Sequence, residues 1–224
     1  MTSGGHHIPL AQAYDGITRT VADLDDADLQ RPTRCRGWLV ADLLLHVVGD
    51  AQRALVALAS PADGPPDTDD ISYWRSFRSG DDDTRHAWRI RRSAAAFHRP
   101  GGIVRAWTDT APAAVRAGGR ADPDSCVTTQ GHVLRVRDLL TTLATEAVIH
   151  HLDLVVDLPD APRPGEAALR VAVATMDGLL SDDAVRPASW DDEEYLLKAT
   201  GRLPLTEHDR MELGEVAGWF PLLG

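Results

Sequence analysis

Apolar residues recur every three or four positions through most of the chain, a period that predicts helices rather than strands. Leu10, Ala13, Tyr14, Ile17, Val21 and Leu24 line one face of an amphipathic helix from about Leu10 to Leu29, which Arg31-Pro32 ends. Thr33 to Trp38 forms a tight connection containing Gly37. Leu39, Leu43, Leu44, Val47, Val48, Ala51, Leu55 and Leu58 then predict a second, well-buried helix from Trp38 to about Ala59. Ser60 to Asp70 is rich in Pro, Asp and Gly and reads as a loop, with a short helical turn at Ile71 to Phe77. Two helical pieces, Thr84 to about His98 and Ile103 to about Ala117, flank Pro100-Gly101-Gly102, and Cys126 to Val133 reads as a short extended segment. Leu139, Leu140, Leu143, Ala147, Val148, Leu152 and Val155 mark a long helix from Arg135 to Val156. Beyond a stiff linker of Pro159, Pro162 and Pro164, helices are expected at Glu166 to Leu180, at Trp190 to Thr200 with Ser189 as N-cap, and at Thr206 to about Gly218. The class is mainly α: an up-and-down bundle of about four long helices over residues 1–160, with a smaller helical C-terminal segment over 161–224 packing on it.

Polar residues that interrupt the apolar stripes carry the candidate chemistry. Glu146 and His150 are four apart and so share one helix face, behind Leu139 and Leu143; His46 lies in the middle of the second helix, one turn after Leu43. Burying an ionised carboxylate on such a stripe is costly unless a cation compensates it. Two imidazoles and one carboxylate suit a divalent ion such as Zn²⁺ and leave coordination positions open. His151 competes as a ligand but points about 100° away round the helix. For Asp42, Asp50 and Asp153, each within one turn of an imidazole, two readings stand: acceptors that orient the rings, or exposed charges on a helix shoulder. His98 and His132 have no comparable context.

Hydrophobic content of 43% and charged content of 25% over 224 residues are those of an ordinary globular chain, and a net charge of -11 argues against binding a nucleic-acid backbone. Arg85, Arg89, Arg91 and Arg92 follow Asp81, Asp82 and Asp83, so the block reads as a solvated helix face, an anion-binding patch being the alternative. No uninterrupted apolar run reaches 18 residues and the N-terminus carries no basic region followed by an apolar stretch, so a cytoplasmic protein without a membrane span is expected. Cys35 and Cys126 lack CxxC spacing and are expected as reduced, partly buried thiols. His6-His7 falls in a Gly-rich leader expected to be flexible.

Thr33-Arg34-Cys35-Arg36-Gly37-Trp38-Leu39-Val40-Ala41-Asp42-Leu43-Leu44-Leu45-His46 resembles the Cys-Pro-Gly-Trp, Asp-Leu, His signature of the mycothiol-dependent maleylpyruvate isomerase family, among the DinB-like metal-binding bundles. Thr145-Glu146-Ala147-Val148-Ile149-His150-His151-Leu152-Asp153-Leu154 resembles that family's second metal-ligand segment. Ala199-Thr200-Gly201-Arg202 and Trp219-Phe220-Pro221-Leu222-Leu223 are similar to the ending of many actinobacterial members, and Lys198, the only lysine, is in keeping with an arginine-rich host. The chain departs from the pattern at Arg36, where proline is usual, and its C-terminal segment is short for an isomerase-type second domain. The resemblance implies a DinB-like four-helix bundle holding a divalent metal, usually zinc, through His46, Glu146 and His150, with the C-terminal segment closing over it. It also implies mycothiol, as cofactor of an isomerisation or as nucleophile of an S-transfer to a small electrophile. A metal held by two neutral imidazoles and one carboxylate keeps a net charge of about +1, which lowers the pKa of an entering thiol below about 8.5. Arg202 is the candidate catalytic residue for an anionic group, with an ion pair as its alternative, and Arg85 and Arg89 are weaker candidates. A hydrolase using activated water and a non-catalytic binding bundle are the competing functions, and either a monomer or a homodimer is compatible.

Overall fold

The computed structural model describes residues 5–76, 81–158, 160–180 and 184–223. Helix α1, Ile8–Val21, has proline in its first turn, where the missing N–H costs nothing. It stops well short of the expected Leu29 because Asp25 Oδ1 accepts the backbone N–H groups of Ala27 and Asp28 at 2.8 Å each, diverting the chain into a short tight turn at Asp28–Gln30. Helix α2 runs Val40–Leu58. Asp42 caps it, accepting the Leu39 N–H at 3.0 Å, so neither reading offered for Asp42 from the sequence holds.

Helices α3 (Ser72–Arg75) and α4 (Asp81–Ala95) follow, and Phe77, the expected end of the short turn, lies outside the described residues. Helix α5, Gly101–Arg120, passes through Pro112 and runs longer than its apolar pattern indicated. The expected extended segment is a hairpin, β1 Cys126–Thr129 and β2 His132–Arg135, paired antiparallel with Thr129 opposite His132. Its two-residue turn needs positive φ at both positions, which Gln130 (48°) and Gly131 (84°) supply. Helix α6, Val136–Leu154, is followed by α7 (Glu166–Leu180), α8 (Asp192–Ala199) and α9 (Glu207–Leu213). Asp191, not Ser189, caps α8: it has extended dihedrals and its side chain accepts the Glu194 N–H at 2.8 Å.

Helices α1, α2, α5 and α6 form the bundle, and α7 packs against α1 and α6. Leu10, Ile17, Leu43, Leu44, Ile103, Trp107 and Leu140 fill its core, with Tyr14 and Trp107 in edge-to-face contact at 4.9 Å. The stretch 136–157 is long and apolar enough to cross a membrane, yet most of it is buried inside this bundle as a core helix. Residues 6 and 7 are docked rather than loose, His6 Nε2 lying 3.0 Å from the Gly118 carbonyl. At the other end, Lys198 is buried and donates to Glu194 at 2.6 Å and Asp209 at 2.7 Å, tying α8 to α9.

Candidate metal centre

Two backbone devices bring the site together. Helix α2 carries His46 opposite the face of α6 that carries Glu146 and His150, three and four residues being the repeat of a helix face. The loop before α2 is pinned at its base by the Thr33 N–H to Trp38 carbonyl bond (3.2 Å) and docked on α6 by the Arg34 N–H to Asp153 carbonyl bond (3.1 Å). Gly37, at φ 81°, makes the turn that swings Cys35 and Trp38 toward the histidines.

His46 Nε2 lies 3.3 Å from Glu146 Oε1 and 3.1 Å from His150 Nε2, and His150 Nε2 lies 3.3 Å from Glu146 Oε1. A tetrahedral ion bonded at about 2.0–2.1 Å sets its donors about 3.3 Å apart, so this triangle of three buried or half-buried donors has the size such an ion requires. Glu146 and both imidazoles therefore fit a divalent cation.

The electrostatics agree. Burial opposes charge on Glu146, but hydrogen bonds from His150 and His46 hold its carboxyl well below the usual range. Burial likewise opposes charge on His150, while contacts with Asp153, Cys35 and Glu146 hold its pKa well above that of an ordinary imidazole. Protonated histidine is here a stand-in for the positive charge the carboxylates call for.

Each imidazole of the triangle is held from behind. His150 Nδ1 donates to Asp153 Oδ2 at 3.1 Å, which leaves Nε2 to face the triangle. Asp153 is fully buried; burial would raise its pKa, but the His150 hydrogen bond and Arg202 bring it down to about 2. Arg202 Nε donates to both Asp153 oxygens at 2.9 and 3.0 Å, and Nη1 donates to the Thr200 carbonyl at 3.1 Å. Arg202 thus forms an ion pair with Asp153, directly behind the His150 imidazole. Behind His46, Nδ1 lies 3.2 Å from His86 Nε2, His86 Nδ1 meets Arg89 Nη2 at 2.9 Å, and the Trp38 ring sits 5.3 Å from the imidazole.

Cys35 is half-buried and donates its S–H to Asp153 Oδ2 at 3.2 Å. The Cys-x-Gly-Trp motif was the signal for its place in the site; His86 had none, because no spacing relates residue 86 on α4 to residue 46 on α2. His151 turns away and donates Nε2–H to the Pro162 carbonyl at 2.9 Å, and His132 sits on β2 beside Asp67.

The fold is thus a helical bundle in which two imidazoles and a carboxylate converge between two of its helices, a group with the size to hold a metal ion. Residues 10–155 match the family described as the mycothiol maleylpyruvate isomerase N-terminal domain, and with well over half its length inside that match the chain belongs to this family. Two solved structures share the fold, the crystal structure of a mycothiol-dependent maleylpyruvate isomerase and that of a histidine-to-alanine mutant. The first is 16% identical and the mutant 15%; each aligns with a TM-score of 0.52 over 79% of this chain and 70% of its own. No curated protein sequence matches.

Proposed function

We propose that the chain is a metal-dependent enzyme of thiol chemistry, acting on a small electrophile with mycothiol as its thiol, as a transferase or an isomerase. The observation that carries this reading is the 3.1–3.3 Å triangle of His46, Glu146 and His150 with a hydrogen-bonded partner behind each imidazole. A divalent ion, zinc as the leading choice, supplies the positive charge that keeps a thiol ionised and nucleophilic at neutral pH.

The chain's own residues do the rest. Asp153 fixes the tautomer of His150 by accepting Nδ1–H, and Arg202 fixes Asp153 by filling both its oxygens. Arg202 is thereby the positioning residue through which the segment 161–224 closes on the bundle segment 1–160. Trp38 lies against the His46 and His86 rings and keeps water from that side. Free Cys35 and Cys126 accord with a reducing, cytoplasmic setting in which a low-molecular-weight thiol stays reduced.

The test is to incubate the metal-loaded protein with a panel of electrophiles, maleylpyruvate among them, with and without mycothiol. Turnover that requires the thiol and is lost in His46→Ala is expected. Thiol-independent turnover would make the protein a hydrolase, and metal binding without any thiol adduct would make it a binding protein; either contradicts the proposal.

A further inference from the structure

Among the described residues, two groups of histidine, cysteine and acidic side chains bring three donor atoms together. One is the triangle of His46, Glu146 and His150. The other is Cys35, His150 and Asp153, gathered at the opposite nitrogen of the His150 ring. Asp50 joins neither: its Oδ1 pairs with Arg53 Nη2 at 3.2 Å, and Arg53 Nη1 donates in turn to Tyr73 Oη at 3.3 Å and to Gln130 Oε1 of the hairpin.

The second group has the dimensions of a metal site. Cys35 Sγ lies 3.2 Å from Asp153 Oδ2 and 3.8 Å from His150 Nδ1, and His150 Nδ1 lies 3.1 Å from Asp153 Oδ2. An ion bonded to sulfur at about 2.3 Å and to nitrogen and oxygen at about 2.0–2.1 Å sets such donors about 3.3–3.6 Å apart in a tetrahedron. Asp153 Oδ2 takes hydrogen bonds from the Cys35 thiol, His150 Nδ1 and Arg202 Nε, whereas Oδ1 takes Arg202 alone. Two of the three hydrogens on Oδ2 therefore sit on a thiol and an imidazole, the protons that an incoming metal ion displaces. Arg202 retains Oδ1, so the fully buried Asp153 keeps a cationic partner. Half-buried Cys35 is the most exposed member of the group and the side from which an ion enters.

We propose that Cys35 Sγ, His150 Nδ1 and Asp153 Oδ2 form a second metal-binding group, for a thiophilic divalent ion such as Cd²⁺, and that it competes with the first group for His150. A thiolate donor selects soft and borderline ions, whereas the nitrogen and oxygen donors of the first group accept harder ones as well. A neutral imidazole has one nitrogen free of hydrogen, so an ion at Nδ1 leaves the proton on Nε2, facing His46 and Glu146, and the first group loses a donor. Because a thiol must also lose its proton, this group is the weaker of the two at neutral pH and fills only when the ion is supplied. The competition rests on the reading of His46, Glu146 and His150 as a metal site; the second group does not.

Cd²⁺ is the probe, because a cysteine thiolate bound to it gives a charge-transfer band in the ultraviolet. The metal-free protein, in a reductant that is not itself a thiol, is titrated as wild type, His46→Ala, Cys35→Ser and the double variant, with circular dichroism as the check on folding. His46→Ala dismantles the first group alone and is expected to bind one Cd²⁺ with the band. Adding Cys35→Ser, whose hydroxyl keeps a hydrogen bond to Asp153, is expected to remove the band and at least about tenfold of the affinity. The wild type is expected to hold one Cd²⁺ per chain at saturation. No band in His46→Ala, or an unchanged band in the double variant, overturns the second group, and two Cd²⁺ per wild-type chain overturns the competition. A band in His46→Ala together with no ion bound by Cys35→Ser overturns the first group, and the competition with it, while bearing out the second.

Discussion

His150 and His151 are neighbours on α6, yet they face opposite kinds of surroundings. His150 turns toward α2, between Glu146, His46 and Asp153, where carboxylates hold its pKa well above the usual imidazole value against the effect of burial. His151 turns toward α1, its ring over Gly16, where a Cβ would stand only 2.8 Å from the ring. There burial lowers its pKa to about 4; Nε2–H reaches the Pro162 carbonyl, and Nδ1 meets no acceptor among the described residues. A step of one residue, about 100° round a helix, separates a histidine of the candidate metal group from a core residue. What decides the role of a buried histidine is the number of acceptors that meet its two nitrogens, a property of the neighbouring helices.

That contrast can be broken from either side. The largest effect is expected from His150→Ala, which should weaken divalent-ion binding by about 100-fold or more, read by competition with a chelating dye, while His151→Gln leaves it within a few fold. Next comes acid stability. An unfolded chain protonates His151 below a pKa of about 6.5 but the native protein does so only near 4, so stability is intact above pH 6.5 and falls as the pH drops toward 4. Urea denaturation in chelator should show a loss of about 3 kcal/mol across that window in the wild type, with a flatter slope in His151→Gln.

Asp153→Asn comes third. It keeps the shape but swaps a charged acceptor behind His150 for an amide, and should weaken metal binding by about tenfold, measured by the same competition. The same variant should loosen the C-terminal segment, because Arg202 loses its charged partner; faster amide exchange across α8 reads that effect. Smallest is Gly16→Ala, where the gain in helix propensity partly offsets the clash with the His151 ring; a net loss of about 1 kcal/mol in thermal or urea stability is expected, with metal binding unchanged.

The apolar period of the chain was enough to find the helices that build the bundle, since Leu39 to Leu58 and Leu139 to Leu152 are stripes that only burial explains. Element ends were less legible, because side chains compete there for the same backbone N–H groups: Asp25 cuts α1 short and Asp191 takes the cap expected of Ser189. At the site, the spacing of Glu146 and His150 on one helix was readable, and His46 stood out as a polar residue in the middle of the apolar second helix, with the family-like flanks adding to it. His86, Arg53 and the bond from Arg202 to Asp153 were not, since each joins elements far apart in sequence, and only the packing of α4, the hairpin and the C-terminal segment on the bundle creates it.

The most direct test is elemental analysis of the protein purified at neutral pH without chelator, as wild type, His46→Ala, His150→Ala and His151→Gln. About one divalent ion per chain is expected in the wild type and in His151→Gln, with almost none in the other two. A metal-free wild type, or full metal content in His150→Ala, would contradict the account.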